Sequence, residues 1–179
     1  MKPRGPLMIE HRLIERMIEV VRLRVAVAQE QKKVDVLFID TVVDFVRTYA
    51  DRTHHGKEEE ILFRELAAKT LSPEDERLMR QLIDEHRFAR KTVAELVQAK
   101  QEYARGRQEA LDTVLAKLQV LVDFYPEHIR KEDRVFFPNS EKYLSEEEQQ
   151  AMLREFWEFD RKMIHEKYTA VVEQMEGLR

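Results

Sequence analysis

The chain has 179 residues, 37% of them charged and 43% hydrophobic, with a formal net charge of −4. The absence of cysteine excludes disulfides, thiolate metal sites, iron–sulfur clusters and a cysteine nucleophile. Only 4 Gly and 5 Pro punctuate it, which suits long amphipathic helices, and the acidic balance gives no electrostatic reason to expect nucleic acid.

Pro6 can open a first helix running to about Glu30, and a second apolar-periodic segment runs from about Val34 to Ala68. Ser72-Pro73-Glu74-Asp75 reads as an N-cap, a Pro at the first helical position and acids in the first turn. It starts a third helix that ends near Gly106. A fourth is expected from about Arg107 to Phe137, kinked at Pro126 and stopped by Pro138. Ser145-Glu146-Glu147-Glu148 caps a fifth that runs almost to Gly177. No apolar run approaches the ~20 residues that span a bilayer, and Met1 to Pro6 lacks the apolar core of a leader. The expectation is a cytoplasmic protein without a membrane partner.

Each helix carries a stripe at alternating steps of three and four. The first has Leu7, His11, Ile14, Ile18, Val21 and Val25; the second has Val36, Ile39, Val43, Val46, Ala50, His54, Glu58 and Ile61. The third has Leu82, His86, Ala89, Val93 and Leu96. In the fourth the stripe is Leu111, Val114, Leu118, Leu121, Tyr125, His128, Glu132 and Val135. The fold class implied is all-α: an up-down four-helix bundle over residues 7–138. The fifth helix, about 145–176, with Leu153, Trp157, Ile164, Tyr168, Val171 and Met175 on its stripe, is expected to pack outside it within one domain.

His11, His54, His86 and His128 interrupt those stripes, one per helix, and Glu58 and Glu132 follow two of them at i+4 on the same face. A single stripe histidine is usually a hydrogen-bonded core residue, and one His-x-x-x-Glu pair is common on helix surfaces. Four on four helices, with two carboxylates, would cost several kcal/mol per buried charge without partners. A shared metal cluster removes that cost, since imidazole and carboxylate are ligands for iron, zinc, manganese and copper.

An internal repeat sharpens the pattern. Glu10-His11-Arg12 recurs as Glu85-His86-Arg87, and His54-His55-Gly56-Lys57-Glu58 recurs as His128-Ile129-Arg130-Lys131-Glu132. The first and second histidines lie 43 residues apart in one half and 42 in the other. Two similar hairpins thus each offer a histidine and a His-x-x-x-Glu pair, each able to hold one metal, with the glutamates able to bridge. On regular helical spacing His55 falls among Thr41, Asp44, Thr48, Asp51 and Glu59, so His55 and Glu59 are expected to be mostly solvated. His165 flanks the fifth stripe beside Arg161 and Tyr168, and spacing leaves it open between a surface residue and an extra ligand.

The set His11, His54-His55-x-x-Glu58-Glu59, His86 and His128-x-x-x-Glu132 resembles the hemerythrin-like, or HHE cation-binding, family. The resemblance spans Glu10 to about Tyr168. It implies a four-helix bundle around two non-heme irons, bridged by the two carboxylates. The family's oxygen carriers use five histidines, one of them a turn beyond the third-helix ligand, where this chain has Arg90. His165 is expected to fill that vacancy, giving the metal set His11, His54, Glu58, His86, His128, Glu132 and His165.

Other chemistries fit less well. No histidine has a Glu three residues before it, as ferritin-like carboxylate bundles require. The zinc-protease motif and a Gly-rich phosphate loop are absent, and the three serines fall in expected turns. The expected function is binding of O2 or a related small ligand, NO or peroxide, for storage, transport or sensing. The alternatives are an enzyme that reduces NO or peroxide or donates iron in cluster repair, and an iron-responsive interaction module. A homo-oligomer is compatible with all three. Tyr125, one turn before His128, either hydrogen-bonds a bound ligand or caps the core.

Overall fold

Four capped helical segments, α1 (Arg4–Gln31), α2 (residues 36–67), α3 (Pro73–Ala104) and α4 (residues 110–140), precede a long C-terminal helix, α5 (Glu146–Glu176). The computed structural model describes the backbone of residues 2–176 and the side chains of residues 2–163 and of Lys167. Among the described residues all regular structure is helical, and no helix is long and apolar enough to cross a membrane.

The starts are fixed by local chemistry. Asp35 accepts a hydrogen bond from the Leu37 amide at the head of α2, and the Ser72 hydroxyl accepts one from the Asp75 amide at the head of α3. At the head of α5, Ser145 and Glu148 form a reciprocal capping box: the Glu148 amide donates to Ser145 Oγ, and the Ser145 amide donates to Glu148 Oε2. Asp75 also receives hydrogen bonds from Asn139, Lys142 and Tyr143, so the start of α3 is tied to the turn that follows α4.

Two departures from regular winding matter for the site. In α2 the stretches Val46–His55 and Glu58–Phe63 are π-helical, and in α4 so is Glu132–Phe136. Bonding from i to i+5 widens the turn, so adjacent residues share a face more readily than in an α-helix. Pro126 sits inside an unbroken α-helix from Ala110 to Lys131. Pro138, expected to stop the fourth helix, instead lies in the first turn of its last segment, Phe137–Ser140, where a missing amide costs no hydrogen bond.

The buried apolar side chains form two separate clusters. One contains Ile14 to Ala28 of α1, Val42 to Ala50 of α2, Val93 and Leu96 of α3, and Leu111 to Ile129 of α4. The other contains Leu7, Ile61 to Leu66, Met79, Leu82, Phe136 and Phe137, with Leu144, Met152 and Phe156. Each of α1 to α4 passes from one cluster to the other, and successive helices do so in alternating order. The histidine positions lie at the crossing. Among the described side chains of α5, Met152, Leu153 and Phe156 are buried, whereas Trp157, expected on the inner stripe, is 71% exposed. The side chains of Ile164, Tyr168, Val171 and Met175, expected on the same stripe, lie outside the described residues.

Candidate metal centre

His11, His54, His86, His128, Glu58 and Glu132 are all buried and meet between the two apolar clusters, as the sequence implies. His55 meets them there. It is 1% exposed, and the expectation that it is solvated is wrong, because it closes the π-helical turn of α2 and so turns inward beside His54. The His165 side chain lies outside the described residues. His55, from α2, stacks on His86 with ring centroids 3.8 Å apart.

The donor atoms sort into two groups, His55, His86 and His128 in one, and His11, His54, Glu58 and Glu132 in the other, each with its ligand atoms within 4.8 Å of one another. Both carboxylates reach across. Glu58 places Oε1 3.5 Å from His54 Nε2 and Oε2 3.4 Å from His86 Nε2. Glu132 places Oε2 3.2 Å from His11 Nε2, and Oε1 3.3 Å from His128 Nε2 and 3.7 Å from His86 Nε2. The five Nε2 atoms and the four carboxylate oxygens are buried and make no hydrogen bond. Nine such orphans in one spot would be severely destabilising, since each forfeits its hydration. Divalent cations supply what all nine lack, so the donor set fits a metal centre.

A carboxylate stands behind every ring. Nδ1–H of His11 donates to Asp133 (2.7 Å), that of His54 to Glu10 (2.8 Å), that of His86 to Glu59 (2.7 Å) and that of His128 to Glu85 (2.8 Å). His55 has the longest of these contacts, 3.4 Å to Asp51. A proton on Nδ1 leaves the lone pair on Nε2, the atom that faces the cluster, which is the arrangement metal-ligating histidines use. Behind the carboxylates stand cations: Lys57 pairs with Glu10, Lys131 with Glu85, Arg12 with Asp133, and Arg90 with both Asp51 and Glu59. Lys57, fully buried, also bonds Asp160 of α5 at 2.7 Å.

The spacing assigns none of these residues a supporting role, and Glu59, expected in solvent, accepts a hydrogen bond from His86. A signal was present, because the repeated triplets carry Glu10 and Glu85, and the repeated blocks carry Lys57 and Lys131 at matching places.

Aromatic rings close the cluster against water. Phe137 stacks on His11, Phe63 on His86 and Phe124 on His128, at centroid distances of 5.6, 5.9 and 5.1 Å. In this dry setting protons stand where cations would. Burial opposes charge on His11, but Asp133 and Glu132 outweigh it and push the ring up to about 10, and His86 is likewise raised by Glu132, Glu58 and Glu59. Burial keeps His54 and His55 neutral, the latter down to about 3. Burial and the Glu132 charge raise Glu58, while three facing imidazoles outweigh burial and lower Glu132. The field that gathers protons on His11 and His86 is the field that favours cations there.

The model of the hemerythrin HHE cation-binding domain matches residues 6–139, the greater part of the chain. The chain belongs to the hemerythrin HHE family. Neither the curated proteins nor the solved structures searched contain a match. The match covers every residue of the cluster, so the cation-binding character of the hemerythrin domain and the nine orphaned donor atoms support the same conclusion. In this hemerythrin-domain chain α5 lies beyond the matched segment, yet Asp160 bonds Lys57 and so touches the support of His54.

Proposed function

We propose that this hemerythrin-domain chain holds two non-heme irons and binds a small ligand, O2 or a related species such as NO or peroxide. His11 and His54 would hold one iron and His55, His86 and His128 the other, with Glu58 and Glu132, whose oxygens face imidazoles of both groups, available to both. The observation that carries the reading is the set of nine buried donor atoms without hydrogen bonds, divided into two groups that both carboxylates span. The alternating passage of α1 to α4 between two apolar clusters supports an up-down four-helix bundle, with α5 outside it in the same domain.

When bound, a pair of ferrous irons supplies two electrons and an open coordination position to a small ligand. The chain supplies the rest. The carboxylates on Nδ1 hold each ring in one orientation and one tautomer. The stacked rings of Phe63, Phe124 and Phe137 keep water from the cluster, which slows loss of bound species and oxidation of the metals. Among the described residues no further carboxylate or imidazole joins the two groups, which favours binding over turnover.

Metal analysis of protein expressed in iron-replete medium and desalted tests this directly. About two irons per chain are expected, together with an absorption change on exposing the reduced protein to O2 or NO that reverses when the gas is removed. One metal per chain, or none with the helical fold intact, would overturn the reading.

A further inference from the structure

A small cavity of about 70 Å³ reaches the histidine cluster from the side of α2 and α3. Its walls are apolar at Val46, Ala89 and Val93, and it ends on the His55 ring and on Tyr125. The Tyr125 hydroxyl is buried and has no hydrogen-bond partner, an unmet donor beside those apolar walls. A water in the liquid occupies about 30 Å³, so a cavity of this size takes one small molecule of two or three heavy atoms.

Outside it lies a surface groove of about 310 Å³, lined in part by Gly56 of α2 and by Phe159 and Met163 of α5. Asp51 and Arg90 line both spaces, and Arg90 Nε bonds Asp51 Oδ1 at 2.7 Å. This ion pair is a partition between groove and cavity. It is partly solvated on its outer side, with Arg90 37% and Asp51 22% exposed, so it is weakly held compared with a buried pair.

We propose that groove and cavity form the route by which a neutral diatomic molecule approaches the histidine cluster, with the Arg90–Asp51 pair as gate and the Tyr125 hydroxyl as the polar anchor of the inner chamber. The inference rests on the small-ligand reading above. Apolar walls favour a neutral molecule over an ion, the volume limits it to two or three heavy atoms, and the free hydroxyl offers one hydrogen bond to a weak acceptor. The route also gives α5 a place in access, since Phe159 and Met163 bound the outer groove.

Two measurements on the full-length, iron-loaded protein test the route. Crystals pressurised with xenon are expected to show an atom in the inner chamber, between Ala89 and Tyr125. In stopped flow with NO, Ala89→Leu, which fills the chamber, is expected to slow association and dissociation together by tenfold or more, with the metal content retained and the affinity changed less than about twofold. An empty chamber under xenon, or NO rates within twofold of wild type in an Ala89→Leu protein that keeps its metal, would overturn the proposal. If Ala89→Leu fails to fold, the xenon result decides alone. Xenon in the chamber of a protein that binds no NO would sink the small-ligand reading while leaving the chamber in place.

Discussion

The imidazole of His55 lies flat on that of His86, ring centroids 3.8 Å apart and planes 11° apart. Two rings from different helices are thereby held side by side with Nε2 of each among the same donor atoms. On the proposed assignment His55 is a ligand, and its replacement should cost metal. His55→Ala is expected to reduce bound metal from about two to about one per chain while the fold is kept. Full retention of two metals, measured by elemental analysis after desalting, would remove His55 from the site.

The bridging carboxylates should be less forgiving. Glu58→Gln and Glu132→Gln keep volume but lose a charge and one of the two oxygens that face imidazoles. Each is expected to abolish stable binding of a metal pair. Calorimetric titration of the metal-free protein with ferrous ion under anaerobic conditions would show either the loss or its absence.

Lys57 and Lys131 occupy matching places in the two hairpins, and each backs a carboxylate that holds a histidine. They differ in burial, 0% exposed for Lys57 and 28% for Lys131. Removing one partner of a buried pair leaves an uncompensated charge and costs about 3–5 kcal/mol, whereas a partly exposed pair is worth about 1 kcal/mol or less. Lys57→Met should therefore lower thermal stability much more than Lys131→Met. It should also weaken metal binding by about tenfold or more, the usual effect of disturbing an outer partner. Equal melting temperatures for the two variants would contradict this.

Asp75 predicts a pH effect away from the metals. Burial resists its ionisation, but hydrogen bonds from Lys142, Tyr143, Ser72 and Asn139 outweigh burial and hold the carboxyl well below the usual carboxylate range. A depressed folded-state value means that the ionised form stabilises the fold. That contribution is complete above the unfolded value near 3.9 and is lost as pH falls below it. Asp75→Asn should cost about 1–3 kcal/mol at pH 7, and the gap to wild type should close below about pH 4. Denaturant titrations at pH 7 and pH 3.5 would reveal a constant gap if this is wrong.

What could be read from sequence followed from regular winding. In α1 the stripe Leu7, His11, Ile14, Ile18, Val21 and Val25 is buried throughout, because that helix keeps an α-helical turn from end to end. In α2 the same reasoning places His54 and Glu58 correctly and fails one residue later, since nothing in local composition announces a π-turn. In α4 it fails after Glu132 for the same reason. Val135, assigned to the stripe, is 45% exposed, while the adjacent Phe136 and Phe137 are both buried. The carboxylates behind the rings were invisible to periodicity because they come from neighbouring helices: Glu10 precedes His11 but serves His54, and Glu85 precedes His86 but serves His128.

The likeness of the two hairpins breaks at one register position, where the first carries His55 after its leading histidine and the second carries Ile129. Neutral imidazole brings a lone pair without charge, so the two seats differ in donor number alone. On the proposed assignment they are unequal vessels, and a limiting supply of cation fills the richer one first. A titration would then trace two steps in a molecule whose halves are otherwise near copies.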